Sequence, residues 1–589
     1  MVIIRPDVFK IVIFRHGVLQ FKLAFADCMY QKSMNLQKIM KASSKKRGYK
    51  RKKITFVFDE MLKLTPKFFT MNRKEIKSIL LFILVSILSL PVFAQNYSID
   101  KGQEFLPPDA SRWGGFSGEN DKSFFILRVR TRGRGNHYYI ESINKATRQK
   151  DFEVEMPLEE ESGMPLDPNN TGIRVFCAGE QIFVCFSGTV KDETRYYLKT
   201  LYADGKLGPL TELYKSDVKV DLNFYQSPDK TKILSITERP WINERQNVEA
   251  TMYEAANFKK IWTKNLPIEF KGSPIETYYY NVDNSGNLYF LLNYIESEDP
   301  RVIGIGMGIL GSKSEKAKIV ALPNKNHYNI ENGRAMIAAN GKFVFTGIYK
   351  NEIKKDEAAM KGMSNKEKVK YQKELVLKKE IGTFSFLVDN NTFEVVTEFQ
   401  KFPDDVAAKL AYGGGLLTEG AANKYYVASK LIEAGGDFYL VENHKYTITG
   451  DGVSTYEREF IVSKINSKGS IAWTKIFPKN TVNNLNTFNV LVRGDNVHLF
   501  YLEHPANLEN SSLETYVPEK YKEIKNYNGS AVVALEISSD GSAKRTKIFD
   551  NKGWCYDPQP FNILIEKDNS LLMRMINRDK ERFDVIKVN

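Results

Sequence analysis

The sequence predicts an all-β protein made of repeated four-stranded sheets, and three observations carry that prediction. Beyond residue 95 the chain runs in short stretches rich in Val, Ile, Tyr and Phe, separated by Gly, Asn and Asp. One hairpin pattern recurs from end to end of that region. A second hairpin pattern follows the first within the unit.

The first hairpin is strand, tight turn, strand. It reads IRVFC-AGE-QIFVCF at 173–186, YYYNV-DNSG-NLYFLL at 278–292, AMIAA-NG-KFVFTG at 335–347, FNVLV-RGDN-VHLFYL at 488–502 and FNILI-EKDN-SLLMRM at 561–575. Asn340-Gly341 suits a two-residue turn that needs positive φ. Less regular copies centre on Glu119–Lys122, Pro228–Lys230 and Gly435–Asp437. The second hairpin reads LKTLYADGKLGPLTELY at 198–214, IVSKINSKGSIAWTKIF at 461–477 and VALEISSDGSAKRTKIF at 533–549. Its turns carry Gly205, Gly469 and Gly541, and Trp473 follows four residues after Gly469.

Two hairpins make a four-stranded sheet that cannot bury its own faces. Such sheets stack radially, so the expected architecture is a β-propeller of seven or eight four-stranded blades spanning 95–589. Two smaller β domains are the structural alternative. The last unit ends at RFDVIKVN (582–589), one strand short, and NYSIDKGQEFL (96–106) is placed to supply it.

The front of the chain reads as an address. Residues 71–94 carry a basic start (Arg73, Lys74, Lys77), an apolar run from Ile79 to Leu90, Pro91, and small residues before Gln95. This is the pattern of a secretory signal peptide cleaved between Ala94 and Gln95. The competing reading is an uncleaved single-span anchor, but the apolar run is short for a bilayer span, so membrane contact is expected only through the leader, and only if it stays uncleaved. Residues 1–70 precede the natural start at Met71 and read as disordered sequence from a misassigned start. The expected location is the periplasm or the cell surface.

The formal charge of +14 belongs to this front end. Residues 1–94 hold 19 of the 85 basic residues and 5 of the 71 acidic ones, which leaves 66 of each in 95–589. No nucleic-acid partner is implied for the body. Cys28, Cys177, Cys185 and Cys555 form no CxxC and no metal-spaced cluster with histidine. Cys177 and Cys185 are staggered along paired strands and read as buried, unbridged thiols.

The links between the two hairpins of a unit are long: 238–250, 296–316, 351–380, 443–458 and 503–530. In a propeller such links emerge on one side of the disc, which marks that side as the binding face. SNKEKVKYQKELVLKKE at 364–380 reads as a helix inside one link, with Ser364 and Glu367 as a capping box. The candidate ligand-binding residues on this face are Trp241, Arg245, His444, Tyr446, Arg458, His504 and Tyr516. Aromatic platforms beside arginine forks suit a glycan, a peptide or an envelope protein surface.

No cofactor or metal is expected. Gly306, Gly308 and Gly311 spell GxGxxG, but the following SKSEKAKIVAL reads as a strand, whereas a dinucleotide site needs a helix there. Asn281, Asp283 and Ser285 before Gly286 lack the acidic twelfth ligand of a calcium loop and read as a plain turn.

GGDFYLVENHKYTITGDGVSTYEREFIVSKINSKGSIAWTKIFPK (435–479) resembles a recurring stretch of large exported repeat proteins of Bacteroidota, and VHLFYLEHPANLE (497–509) resembles a second, with His504-Pro505 in place of their usual acidic turn. The resemblance covers the last third of the chain. It implies the compartment and the repeat, and it assigns no site residue. The functional expectation is an exported binding or scaffolding propeller. The alternatives are a hydrolase with acidic residues at the ring centre and a structural part of an envelope assembly. Acids with raised pKa in the central funnel would mark the enzyme.

Overall fold

A computed structural model describes residues 97–107, 111–132, 135–156, 173–178, 181–190, 193–218, 220–242, 245–266, 275–295, 303–324, 328–350, 360–364, 366–368, 370–371, 380–406, 424–449, 453–482, 488–508, 513, 521–524, 526–556, 563–565 and 570–589. The leader at 71–94 and its Ala94–Gln95 junction lie outside these residues, as do residues 1–70 and Cys28.

Alternation of apolar and polar residues makes each hairpin a half-sheet, and the half-sheets join in pairs. Seven antiparallel four-stranded sheets follow in chain order, blade 1 from Ser111, then blades 2 to 7 starting at Arg174, Asp221, Ile275, Asn329, Lys424 and Phe488. In each, the first hairpin supplies the first and second strands, and the second hairpin supplies the third and fourth. First strands of successive blades approach one another, as Asn329–Ile337 does Lys424–Ala434, so they line the inside of the ring.

Blade 8 closes the ring. Its first strand is broken into Cys555–Tyr556 and Ile563–Ile565, both paired to Leu571–Asn577, which pairs in turn with Lys580–Val588. Its outer strand is Tyr97–Asp100, in register from Tyr97 opposite Val588 to Asp100 opposite Val585. The expectation that the segment 96–106 supplies the strand missing from the last sheet is met, and the blade count is eight.

Each of the eight seams between blades holds its own apolar cluster. Leu234, Ile236 and Met252 meet Leu288, Phe290 and Leu292 between blades 3 and 4. Tyr439, Val441 and Phe460 meet Val497, Leu499 and Tyr501 between blades 6 and 7. Leu572, Phe583 and Val585 meet Phe124, Ile126 and Ile143 across the closure, between blades 8 and 1. A sheet with both faces covered explains strands such as Leu288–Ile295, which are apolar on both sides.

The same Trp-Thr-Lys triplet on two outer strands fastens neighbouring blades. Lys264 donates to the carbonyls of Gly311 (3.1 Å), Ser312 (2.9 Å) and Ser314 (2.7 Å) in the turn of blade 4. In blade 6 the Trp473 indole donates to the Ser539 carbonyl (3.1 Å) and Lys475 to that of Gly541 (2.9 Å) in blade 7.

Three expected long links are partly strand. Blade 3 continues as Lys232–Ile242 and Arg245–Glu254, and blade 6 as Asp437–Thr449 and Val453–Ile465, so residues 238–250 and 443–458 extend the sheets as hairpins. Ile303–Leu310 is the third strand of blade 4. The glycines there make room for aromatic neighbours. A Cβ on Gly308 would stand 2.1 Å from the Phe290 ring, and one on Gly304 would stand 2.4 Å from Tyr294. The GxGxxG spelling is therefore a packing pattern.

Ser364 and Glu367 form the expected capping box. The Ser364 N–H donates to Glu367 Oε2 at 2.8 Å and the Glu367 N–H to Ser364 Oγ at 3.4 Å. Residues 372–379 of that helix lie outside the described residues. Cys177 and Cys185 are buried free thiols opposite Ile182 and Arg174, and burial pushes the Cys177 thiol up to about 12. Asp283 accepts from the N–H groups of Ser285 (2.9 Å) and Asn287 (2.8 Å), the plain turn expected there.

Candidate functional site

The second and third strands of blade 6 are thirteen residues each, against eight for those of blades 4 and 5. The extra length projects on the side of the links. Residues 521–524 of blade 7 lie against the end of the fourth strand of blade 6, Ile471–Val482. Ile524 bridges in parallel to Thr481, its N–H donates to the Asn480 carbonyl (3.1 Å), and Asn480 donates to the Tyr521 carbonyl (2.9 Å).

The expected binding residues divide between this corner and blade 3. Arg458 sits at a bulge between Glu457 and Glu459, bonds Asn480 Oδ1, and lies over the Tyr456 ring, 5.5 Å from its centre. Tyr446 stands opposite Tyr456 in register. His504 caps the turn Pro505–Asn507, its Nδ1 accepting from the Ala506 N–H at 3.1 Å. Burial and the nearby Lys522 hold its pKa below the usual histidine range. His444 is fully buried and bonded to Glu459 at 2.7 Å, so its side chain faces the interior of the molecule. Trp241 and Arg245 end the paired strands of blade 3, with Ile242 opposite Arg245. The side chains of Trp241, Arg245 and Tyr446, and all of Tyr516, lie outside the described residues.

Beneath the corner lies a charge network that the sequence reading missed. Lys479 and Glu457 are fully buried and ion-paired, and Lys445, one quarter exposed, reaches the second Glu457 oxygen at 2.7 Å. The Lys479 ammonium lies 4.9 Å from the Phe460 ring centre and 6.0 Å from that of Phe488. Burial lowers the Lys479 pKa, and Glu457 opposes the shift.

Glu503, equally buried on the adjoining strand, accepts from the His504 N–H (2.8 Å) and Asn507 Nδ2 (2.7 Å). Arg545 stands 3.5 Å away and donates to the Tyr521 hydroxyl (2.7 Å) and the Asn507 carbonyl (2.9 Å). These donors favour the carboxylate, but burial outweighs them and raises Glu503 to about 7. Asn507 also pairs with the backbone of Lys522 in both directions at 2.8 Å, pinning the two ends of the insertion together.

On the other face of blade 6, Glu442 is fully buried, neither of its oxygens has a hydrogen-bond partner among the described residues, and burial raises its pKa well above the carboxylate range. Glu442 and Glu503 both lie on second strands, packed between blades and closed to solvent. One signal was legible: in FYLVENHKY, the positions that continue the apolar face of Phe438 and Leu440 are Glu442 and His444. Among the described residues no group of His, Cys, Asp and Glu is placed to hold a metal ion.

No family model matches the chain, and no curated protein matches it. Solved structures do. The WD40 domain of SCAP from fission yeast matches at 11% identity over 85% of this chain and 96% of that one, with a TM-score of 0.36. Prolyl oligopeptidase B from Galerina marginata matches at 9% identity over 79% of this chain, with a TM-score of 0.33. The Dos1 propeller matches at 12% identity over 40% of this chain, with a TM-score of 0.25. The chain spans 56% of the Dos1 propeller structure and 55% of the prolyl oligopeptidase structure.

Proposed function

We propose that this protein is an exported binding or scaffolding propeller that recognises a glycan, peptide or envelope protein through the face bearing the long links. The observation that carries this reading is the corner of blades 6 and 7, where thirteen-residue strands extend blade 6 and residues 521–524 of blade 7 lie along its fourth strand. Its base is rigid, because a buried ion network underlies it. A rigid base beneath adaptable surface groups lowers the ordering cost of binding. Arg458 with Tyr456 is the recognition element at this corner, and Trp241 with Arg245 is a second on blade 3.

The test is a glycan and peptide array probed with the exported form, followed by titration of the best ligand. Arg458→Ala and Trp241→Ala are each expected to weaken binding about tenfold or more, the scale of an anchor residue. Lys342→Ala, on the short turn between the first two strands of blade 5, should leave affinity unchanged. Equal losses from all three variants, or from none, would refute the assignment of the face.

A further inference from the structure

We propose that the inner wall of the ring carries an anion site, in which Arg334 and Lys430 on one side and Arg174 on the other hold a small molecule bearing several phosphate or carboxylate groups. All three cations lie on first strands, which line the inside of the ring.

They share one level of that wall. Arg174 pairs with Cys185, Arg334 with Thr346 and Lys430 with Val441. Each partner stands three residues after the first buried apolar residue of its second strand, which is Ile182, Phe343 or Phe438. The same count places Gly115, Asn223, Tyr278 and Asn489 at this level in blades 1, 3, 4 and 7. Across blades 1 to 7 the level therefore holds cations, amides and a phenol, and no carboxylate. Blades 5 and 6 are neighbours, and blade 2 is opposite blade 6 in a ring of eight. A single charged group could meet one side of the wall, whereas an anion with two or more can meet both.

The fold does not use these charges. Among the described residues no carboxylate pairs with Arg174, Arg334 or Lys430. Arg174 is exposed, while Arg334 and Lys430 are half-buried, and the solvent that reaches them in mid-strand is that of the channel. Asp221 and Glu276 stand two residues nearer the link end than Asn223 and Tyr278, and Glu433 accepts from the Ala339 N–H at 2.8 Å. Burial lowers the Lys430 pKa, with no acid to oppose the shift. A cation taken partly out of water without a counter-charge costs free energy, and an anion from solution offsets that cost.

The backbone aims two of the cations. Arg334 donates from Nη1 to the Tyr279 hydroxyl of blade 4 at 2.8 Å, with its guanidinium 5.9 Å from that ring centre. Tyr279 takes φ +61° at a bulge, a left-handed conformation uncommon for so bulky a residue. Bulges also precede Arg334 and Lys430 and turn their side chains out of the regular alternation.

The experiment is isothermal titration calorimetry of the purified full chain with tripolyphosphate and with citrate, at about 50 mM salt to limit screening. At least one of the two is expected to bind. Arg334→Gln, Lys430→Gln and Arg174→Gln should each weaken that binding about tenfold or more, the scale of a charge-assisted hydrogen bond. Arg334→Lys, which keeps the charge, should weaken it less. Lys342→Gln, at an exposed turn, should leave it unchanged. Chemical denaturation reports that each variant is folded. A preference for tripolyphosphate names a phosphorylated ligand and a preference for citrate a polycarboxylate, and both support the site. Failure of the wild type to bind either anion overturns the proposal. So do folded Arg334→Gln and Lys430→Gln variants that bind as the wild type does, or a loss from Lys342→Gln equal to that from Arg334→Gln. None of these results touches the link-face reading, which uses other residues.

Discussion

Lys479 neutralises Glu457 where both side chains are closed to solvent, so its value lies in what its loss would leave behind. Lys479→Met leaves Glu457 with only the partly exposed Lys445 as its cation and is expected to cost about 3 kcal/mol, read as a fall in denaturation midpoint. Lys479→Met with Glu457→Gln should recover part of that loss, because no buried charge then lacks its partner. Glu503 sets a pH dependence. Its folded pKa of about 7 lies above the ordinary carboxylate value, so the folded state holds the proton more tightly than the unfolded chain. That contribution is complete below the unfolded pKa and is lost as pH rises through about 7. Glu503→Gln should therefore flatten the fall in stability between pH 5 and 8, checked by denaturation across that range. At this scale the sequence was only partly legible. A run of apolar residues cannot tell which of Glu442, Glu457, Glu459 and Glu503 are covered, because the cover comes from other blades and from an insertion forty to eighty residues away. His444 was misplaced for that reason: its neighbours suggested a link, and the strand carried it inside.

Elements were read more securely, since their signals are local. Asn340-Gly341 makes a turn, but of three residues rather than the expected two: Ala338 and Lys342 close it and Gly341 takes the positive φ of +82°, while the capping box of Ser364 forms as its spacing requires. Both are decided within four residues of chain. The lengths of the strands in blades 3 and 6 were not decided so locally. Polar, Thr- and Tyr-rich sequence such as YTIT and VSTY reads as a link, yet it pairs as strand once the partner continues alongside. The Trp-Thr-Lys triplet is an element-scale device with its own prediction. Lys475→Met removes the donor to the Gly541 carbonyl, and Trp473→Ala removes both an indole donor and a ring that packs edge-on to Tyr439. Each should loosen the blade 6–7 seam, the half-buried Trp473→Ala by about 2 kcal/mol and Lys475→Met by about 1 kcal/mol, measured by chemical denaturation. Faster hydrogen exchange confined to the 538–542 turn would locate the effect.

Residues 97–589 form a closed series of eight thin sheets, none able to hide its own apolar faces. The repeat made the architecture legible, and the count was uncertain by one for a physical reason. Blade 8 has no continuous first strand, because Cys555–Tyr556 and Ile563–Ile565 share that place, and its fourth strand comes from the opposite end of the chain. A repeat scan sees neither. The corner of blades 6 and 7 was hidden for a related reason: it is assembled from two blades and a link, and only the ring brings them together. Closure by Tyr97–Asp100 is thus the claim on which the rest depends. It is tested most directly by placing cysteines at Ser98 and Lys587, which face each other in register, and oxidising the purified protein. The account predicts an intramolecular 98–587 disulfide in the monomer, formed in high yield and visible as a linked peptide pair by mass spectrometry. Free thiols at both positions, or a bond found only between chains, would contradict it.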